Sequence, residues 1–159
     1  MEAIINGIHK LLTGADVPVG GYDAAVPCVG NFEGWHCGVG VRYAIADIPQ
    51  SYYPLIAIAP ISESGKRYER NGSYVASVEA AMFVKAINKN SDIVGDNSTT
   101  QAWVDFEALL LSNTGLDGAA LRLLSSDVRY GQSIETATGT LDKHIVTIGL
   151  QYDVLSMIK

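Results

Sequence analysis

The stretch from residue 144 to 154 constrains this chain most. Val146, Ile148, Leu150, Tyr152 and Val154 alternate with Ile145, Thr147, Gln151 and Asp153. A period of two puts the first set on one face of an extended strand and the second set on the other. The chain therefore builds a β-sheet, and something must cover the apolar face of this strand. The same alternation runs through 74–87, where Tyr74, Ala76, Val78, Ala80, Met82 and Val84 fall on one side. Four alanines and Glu79 in that window also suit a helix, but alternation over eleven positions predicts a strand. Leu55-Ile56-Ala57-Ile58-Ala59 is a short apolar run that reads as a central strand. Val39, Val41, Tyr43 and Ile45 alternate with small or polar residues and predict a half-buried strand, and a further strand is expected over 120–130.

Two segments follow the helical period instead. Ile4, Ile5, Ile8, Leu11 and Leu12 line one side of a helix over residues 1–13, with Gly14 as its stop. Ser98 and Gln101 fit a capping box, and Trp103, Phe106, Leu109 and Leu110 give a second amphipathic helix ended by Asn113 and Gly115. Between the first helix and the first strand lies a segment rich in Gly and Pro, residues 14–38, without periodicity. It reads as a long ordered loop insertion or a pair of short strands, pinned by Phe32 and Trp35. Residues 62–73 are polar, contain Gly65 and Asn71-Gly72, and predict a projecting hairpin tip. The fold class expected is α+β: a mixed or antiparallel β-sheet with two amphipathic helices packed on it. A chain of 159 residues with 48% hydrophobic content forms one domain, 1–159, with a substantial core.

Charge narrows the functions. Charged residues make up only 18% of the chain, which suits a surface partly walled in by other subunits, since interface cores are depleted of charge. A net charge of −6 opposes adhesion to nucleic acid or anionic membrane as the main activity. It is compatible with DNA that slides past without sticking. The N-terminal residues lack the basic and continuous apolar regions of a signal peptide, and no run is long enough to span a bilayer. Folding in the cytoplasm is expected, with Cys28 and Cys37 reduced.

Cys28, His36 and Cys37 are the one cluster with catalytic flavour. A Cys–His pair generates a thiolate nucleophile when a third group orients the imidazole. Adjacent residues on an extended chain point apart, however, and two ordinary buried thiols are the plainer expectation. A zinc site on the same trio would need a fourth ligand from His9, His144 or Glu33, at spacings unlike those of paired zinc ligands. No phosphate-cradling loop is present: Gly65-Lys66 lacks the upstream glycine and is followed by Arg67. No catalytic, cofactor or metal residues are therefore assigned. Lys66, Arg67 and Arg70 flank Tyr68 on the polar hairpin, where Glu63 and Glu69 offset much of their charge. A solvated tip, or contact with an acidic protein partner, fits these four residues better than nucleic acid.

The order of elements, with Tyr53-Pro54-Leu55-Ile56-Ala57-Ile58, the polar hairpin 62–73, the long strand 74–87 and the helix 99–112, resembles the tail terminator (tail completion) proteins of long-tailed bacteriophages. Gly118 leading into strand 120–130 and the closing Gln151-Tyr152-Asp153-Val154 complete a likeness that spans about residues 40–155. The resemblance implies a virion protein without catalytic machinery or cofactor. Such a protein assembles in the host cytoplasm as a homohexameric ring on the tail tube, stops tube polymerisation and presents the surface that joins the neck or head–tail connector. DNA would only pass through its lumen, and no membrane would be involved. A sheet with a long alternating strand can extend its edge to such a β-built partner. A head–tail adaptor, a tail-tube subunit, a thiol enzyme using Cys28 and His36, and a small ligand-binding module stand beside this reading.

Overall fold

The computed structural model describes residues 1–18, 25–39, 54–65, 72–83, 99–130, 134–136, 139–141 and 145–155. Helix α1 (Glu2–Thr13) is followed by β1 (Val26–Pro27), β2 (His36–Val39), β3 (Leu55–Ser64), β4 (Ser73–Phe83), helix α2 (Thr99–Ser112), β5 (Arg122–Tyr130), β6 (Ile134–Thr136), β7 (Gly139–Leu141) and β8 (Ile145–Leu155). Six strands form one mixed sheet in the order β1-β2-β3-β4-β8-β5, and β6 pairs with β7 in a separate ribbon. The pair β2–β3 is parallel, and every other neighbouring pair is antiparallel. The fold is α+β, as the alternating and helical periods predict.

Strand β8 is the spine. It pairs with β4 along its whole length, from Ser73 opposite Leu155 to Phe83 opposite Ile145, and with β5 on its other edge. Val146, Ile148, Leu150, Tyr152 and Val154 are buried on one face with Ala76, Val78, Ala80 and Met82 of β4. The alanines that make β4 resemble a helix in composition have a packing reason. Ala76 sits opposite Tyr152 and Ala80 opposite Ile148, so small residues make room for large ones in the same layer. Cys37 and Val39 of β2 and Ile56 and Ile58 of β3 continue this face.

Both helices cover that face, α1 over β2 and β3, α2 over β4 and β8. Ile4, Ile5, Ile8 and Leu12 of α1 are buried as their spacing predicts. The helix ends at Gly14 in the left-handed region (φ 74), where the glycine amide donates to the Lys10 carbonyl at 2.8 Å. In α2, Trp103, Phe106 and Leu110 face inward. The expected capping box cannot be followed, because Ser98 lies outside the described residues; the Gln101 side-chain amide donates to Asp105 at 3.0 Å.

The described residues of the segment 14–38 include a pair of short strands, one of the two expected forms. Pro27 lies opposite His36 in the antiparallel pair β1–β2. A T-shaped aromatic chain runs from Trp35 to Phe32 (centroids 5.9 Å apart), Phe32 to Phe106 (6.2 Å) and Phe106 to Trp103 (6.2 Å), and it fastens this segment to α2. The expected strand beginning at Val39 is seen only as β2, and its remainder lies outside the described residues. The polar hairpin is shorter than expected, since pairing continues to Ser64 opposite Val75.

The two long alternating strands, β4 and β8, are interior, each paired on both edges. Among the described residues the sheet ends instead at β5 and at the two-residue β1. Alternation reports which face of a strand is buried; pairing of its edges is decided by the rest of the sheet.

Two glycines make opposite predictions. A Cβ on Gly7 of α1 would lie 2.9 Å from Leu116 Cβ, and Leu116 and Asp117 already hold left-handed backbone (φ 47 and 56). Gly7→Ala should therefore lower the denaturant midpoint by about 1–3 kcal/mol of stability, although alanine favours helix. A Cβ on Gly149 of β8 meets only Asp127, at an ordinary 3.8 Å. Gly149→Ala should be neutral or stabilise by up to about 1 kcal/mol. The reverse order of midpoints would contradict this packing.

Candidate functional site

The thiol–imidazole group was the sequence's only candidate for catalysis. Cys28 and Cys37 are buried free thiols in the core cluster. The Cys28 amide donates to the Trp35 carbonyl at 2.8 Å, and the His36 amide donates to the Pro54 carbonyl at 3.0 Å, which fixes the backbone of both short strands. In β2, Cys37 and Val39 point into the core, which puts His36 on the opposite face of the sheet. Burial pushes the Cys28 thiol up to about 12. Burial first, and the neighbouring Cys28 second, push Cys37 well above the ordinary thiol value. An activated nucleophile needs the opposite shift.

His9 is equally committed elsewhere. It is buried in α1, and its Nδ1 donates to the Ala15 carbonyl at 2.8 Å while Thr13 Oγ1 donates to the His9 carbonyl at 2.8 Å. With Asn6, whose side-chain oxygen accepts from the Val17 amide at 2.8 Å, it folds residues 14–18 back onto the helix. No three His, Cys, Asp or Glu side chains among the described residues come together as metal ligands. His144 lies outside the described residues, as do Lys66, Arg67, Tyr68 and Arg70, the predicted contact tip.

The arrangement that sequence reasoning missed is the polar part of the sheet's other face with its β5 edge, away from the end where Leu55 and Ala81 of that face are buried. Opposite the helices, Ser77 and Glu79 of β4, Thr147, Gly149 and Gln151 of β8, and Ser125, Asp127 and Arg129 of β5 form a polar face. A shallow trough of about 440 Å³ runs across it. Gly149 is its floor, because Glu79 and Asp127 stand directly opposite the glycine on the two flanking strands. Asp127 is paired with Arg129 at 3.5 Å, and Ser125 donates to Gln151 at 3.0 Å. The signal was present in the polar half of the β8 alternation, but the strand order that gathers these side chains was not.

At β5 the helical cover also stops. Ser126 lies opposite Leu150, on the face the helices cover, yet is exposed. Leu124 occupies a bulge between Leu123 and Ser125. It is 40% exposed and Leu121 is 53% exposed. Bulges and charges such as Arg122 and Arg129 are common ways to guard a sheet edge. Among the described residues no helix is long and apolar enough to cross a membrane. Compared with known proteins, the chain matches no family model and no curated protein.

The thiols give a pH prediction whose sign follows from burial. The folded state holds the Cys28, Cys37 and Tyr152 protons more tightly than the unfolded chain, because burial raises all three. Their contribution to stability is complete below the ordinary thiol value of 9.0 and is lost as pH rises from there through about 12. Native protein at neutral pH should resist iodoacetamide and label fully once unfolded. Cys28→Ser with Cys37→Ser should soften the alkaline loss and leave the fold intact. Rapid native labelling at neutral pH would contradict the burial of both thiols.

Proposed function

We propose that the chain is a structural virion protein that caps a phage tail tube as a hexameric ring, ends tube polymerisation and offers the surface that joins tail to neck or head. The observation that carries this reading is the polar area of the sheet face turned away from the helices, where Ser125, Asp127, Arg129 and Gln151 are exposed, together with the β5 edge. Sparse charge across the whole chain supports a subunit enclosed by neighbours. The balance of −6 supports a lumen that lets DNA pass without adhering.

The thiol-enzyme alternative loses support from the upward shift of both cysteines. The ligand-binding alternative wants an enclosed apolar pocket, whereas the trough on the sheet is open and lined by Ser77, Glu79, Asp127 and Gln151.

Adding the purified protein to polymerising tail-tube subunits tests the proposal by tube length. Shortened tubes carrying the protein at one end are expected. Tubes of unchanged length without bound protein would overturn it. Replacing Lys66, Arg67 and Arg70 by Ser should leave a folded protein that joins its tube or neck partner less well. Wild-type DNA binding abolished by that change would show the loop to be a nucleic-acid contact.

A further inference from the structure

Helix α2 is apolar on both sides. Its inner side carries Trp103, Phe106 and Leu110, while Val104, Ala108 and Leu111 lie exposed on its outer side at helical spacing. Val104 is 51% and Leu111 60% exposed, although the core needs neither. On the helix Asp105 and Glu107 flank this stripe. From Asn90 to Leu121 the sequence contains no Lys or Arg.

The β5 edge has the complementary character. Leu121 and Leu124 are exposed there beside Arg122, and Arg129 stands further along the same strand. Arg122 pairs with the largely covered Asp153 (18% exposed) at 3.7 Å and Arg129 with the exposed Asp127 at 3.5 Å, and both arginine side chains stay about two-thirds solvent-exposed (68% and 67%). An ion pair whose arginine stays this exposed is weak and is readily exchanged for another.

We infer that the outer stripe of α2 in one copy packs on the β5 edge of a second copy, with leucines and valine at the centre and α2 carboxylates facing the β5 arginines at the rim. An apolar centre with a polar, charge-matched rim is the usual anatomy of a specific protein interface. Two different elements meeting in this way form a head-to-tail junction, which closes into a ring when the rotation between copies allows it. The inference deepens the proposed assembly role and rests on it for the number of copies in the ring.

Sedimentation of the wild type and two double variants tests the junction. Val104→Glu with Leu111→Glu blocks the α2 surface, and Leu121→Glu with Leu124→Glu blocks the β5 surface. All four positions are exposed, and circular dichroism checks the fold. Wild type should associate as concentration rises, each variant alone should stay monomeric, and their mixture should form a one-to-one dimer through the one intact pair of surfaces. A wild type that is monomeric at the highest soluble concentration, a variant that associates like wild type, or a mixture that stays monomeric would overturn the junction. Should a double variant fail to fold, Glu107→Lys reads the same contact: association should weaken, and most at low salt, and an unchanged salt profile overturns it. The tail-tube reading fails separately, since a chain that associates through this junction yet leaves tube length unchanged refutes the cap and leaves the junction standing.

Discussion

Strand β8 carries Val146, Ile148, Leu150, Tyr152 and Val154 on one face while both of its edges are hydrogen-bonded, to β4 and to β5. Fully burying one large aliphatic side chain is favourable by about 1.5–3 kcal/mol, so five on one strand set where the helices must lie. α1 and α2 supply that cover from the same side. On the opposite face Leu55 and Ala81 are buried at one end, while polar and small residues surround Gly149. The Tyr152 hydroxyl is the exception within the core: it is buried without a hydrogen-bond partner among the described residues, at a cost that the packing around Ala76 must offset.

Local periodicity made most elements legible. Alternation located β4 and β8, the helical period located α1 and α2, and Phe32 and Trp35 revealed that the glycine-rich segment is pinned. What periodicity does not encode is the neighbour on each edge, so the interior place of β4 and β8 was not legible in their alternation. The ribbon β6–β7 has too few residues for any period to register. The outward stripe of α2 was hidden by its own inner face, because an apolar residue beside Trp103 or Leu110 looks like more core until the helix is docked. For the candidate site, alternation correctly set His36 and Cys37 on opposite faces, while the burial that makes the thiols inert depends on α1 closing over β2.

A protein built this way puts its specificity on surfaces. Its cysteines and its buried histidine are spent on packing and on folding residues 14–18 against α1. Among the described residues, the polar part of the sheet face, the β5 edge and the back of α2 are left exposed. The proposed role in tail assembly assigns them work: contact between copies through α2 and β5, and contact with tube or neck through the remaining faces.

Hydrogen exchange of the backbone amides in dilute and concentrated protein tests this account most directly, because it reports sheet order and self-contact together. Amides of β4 and β8 should exchange slowest at every concentration, and β5 should exchange faster when dilute. On concentration, protection should rise on β5 and α2 and be unchanged on α1. A β5 as protected as β8 in dilute protein, or protection that rises elsewhere or not at all, would contradict the claim that β5 and α2 are left for a second copy.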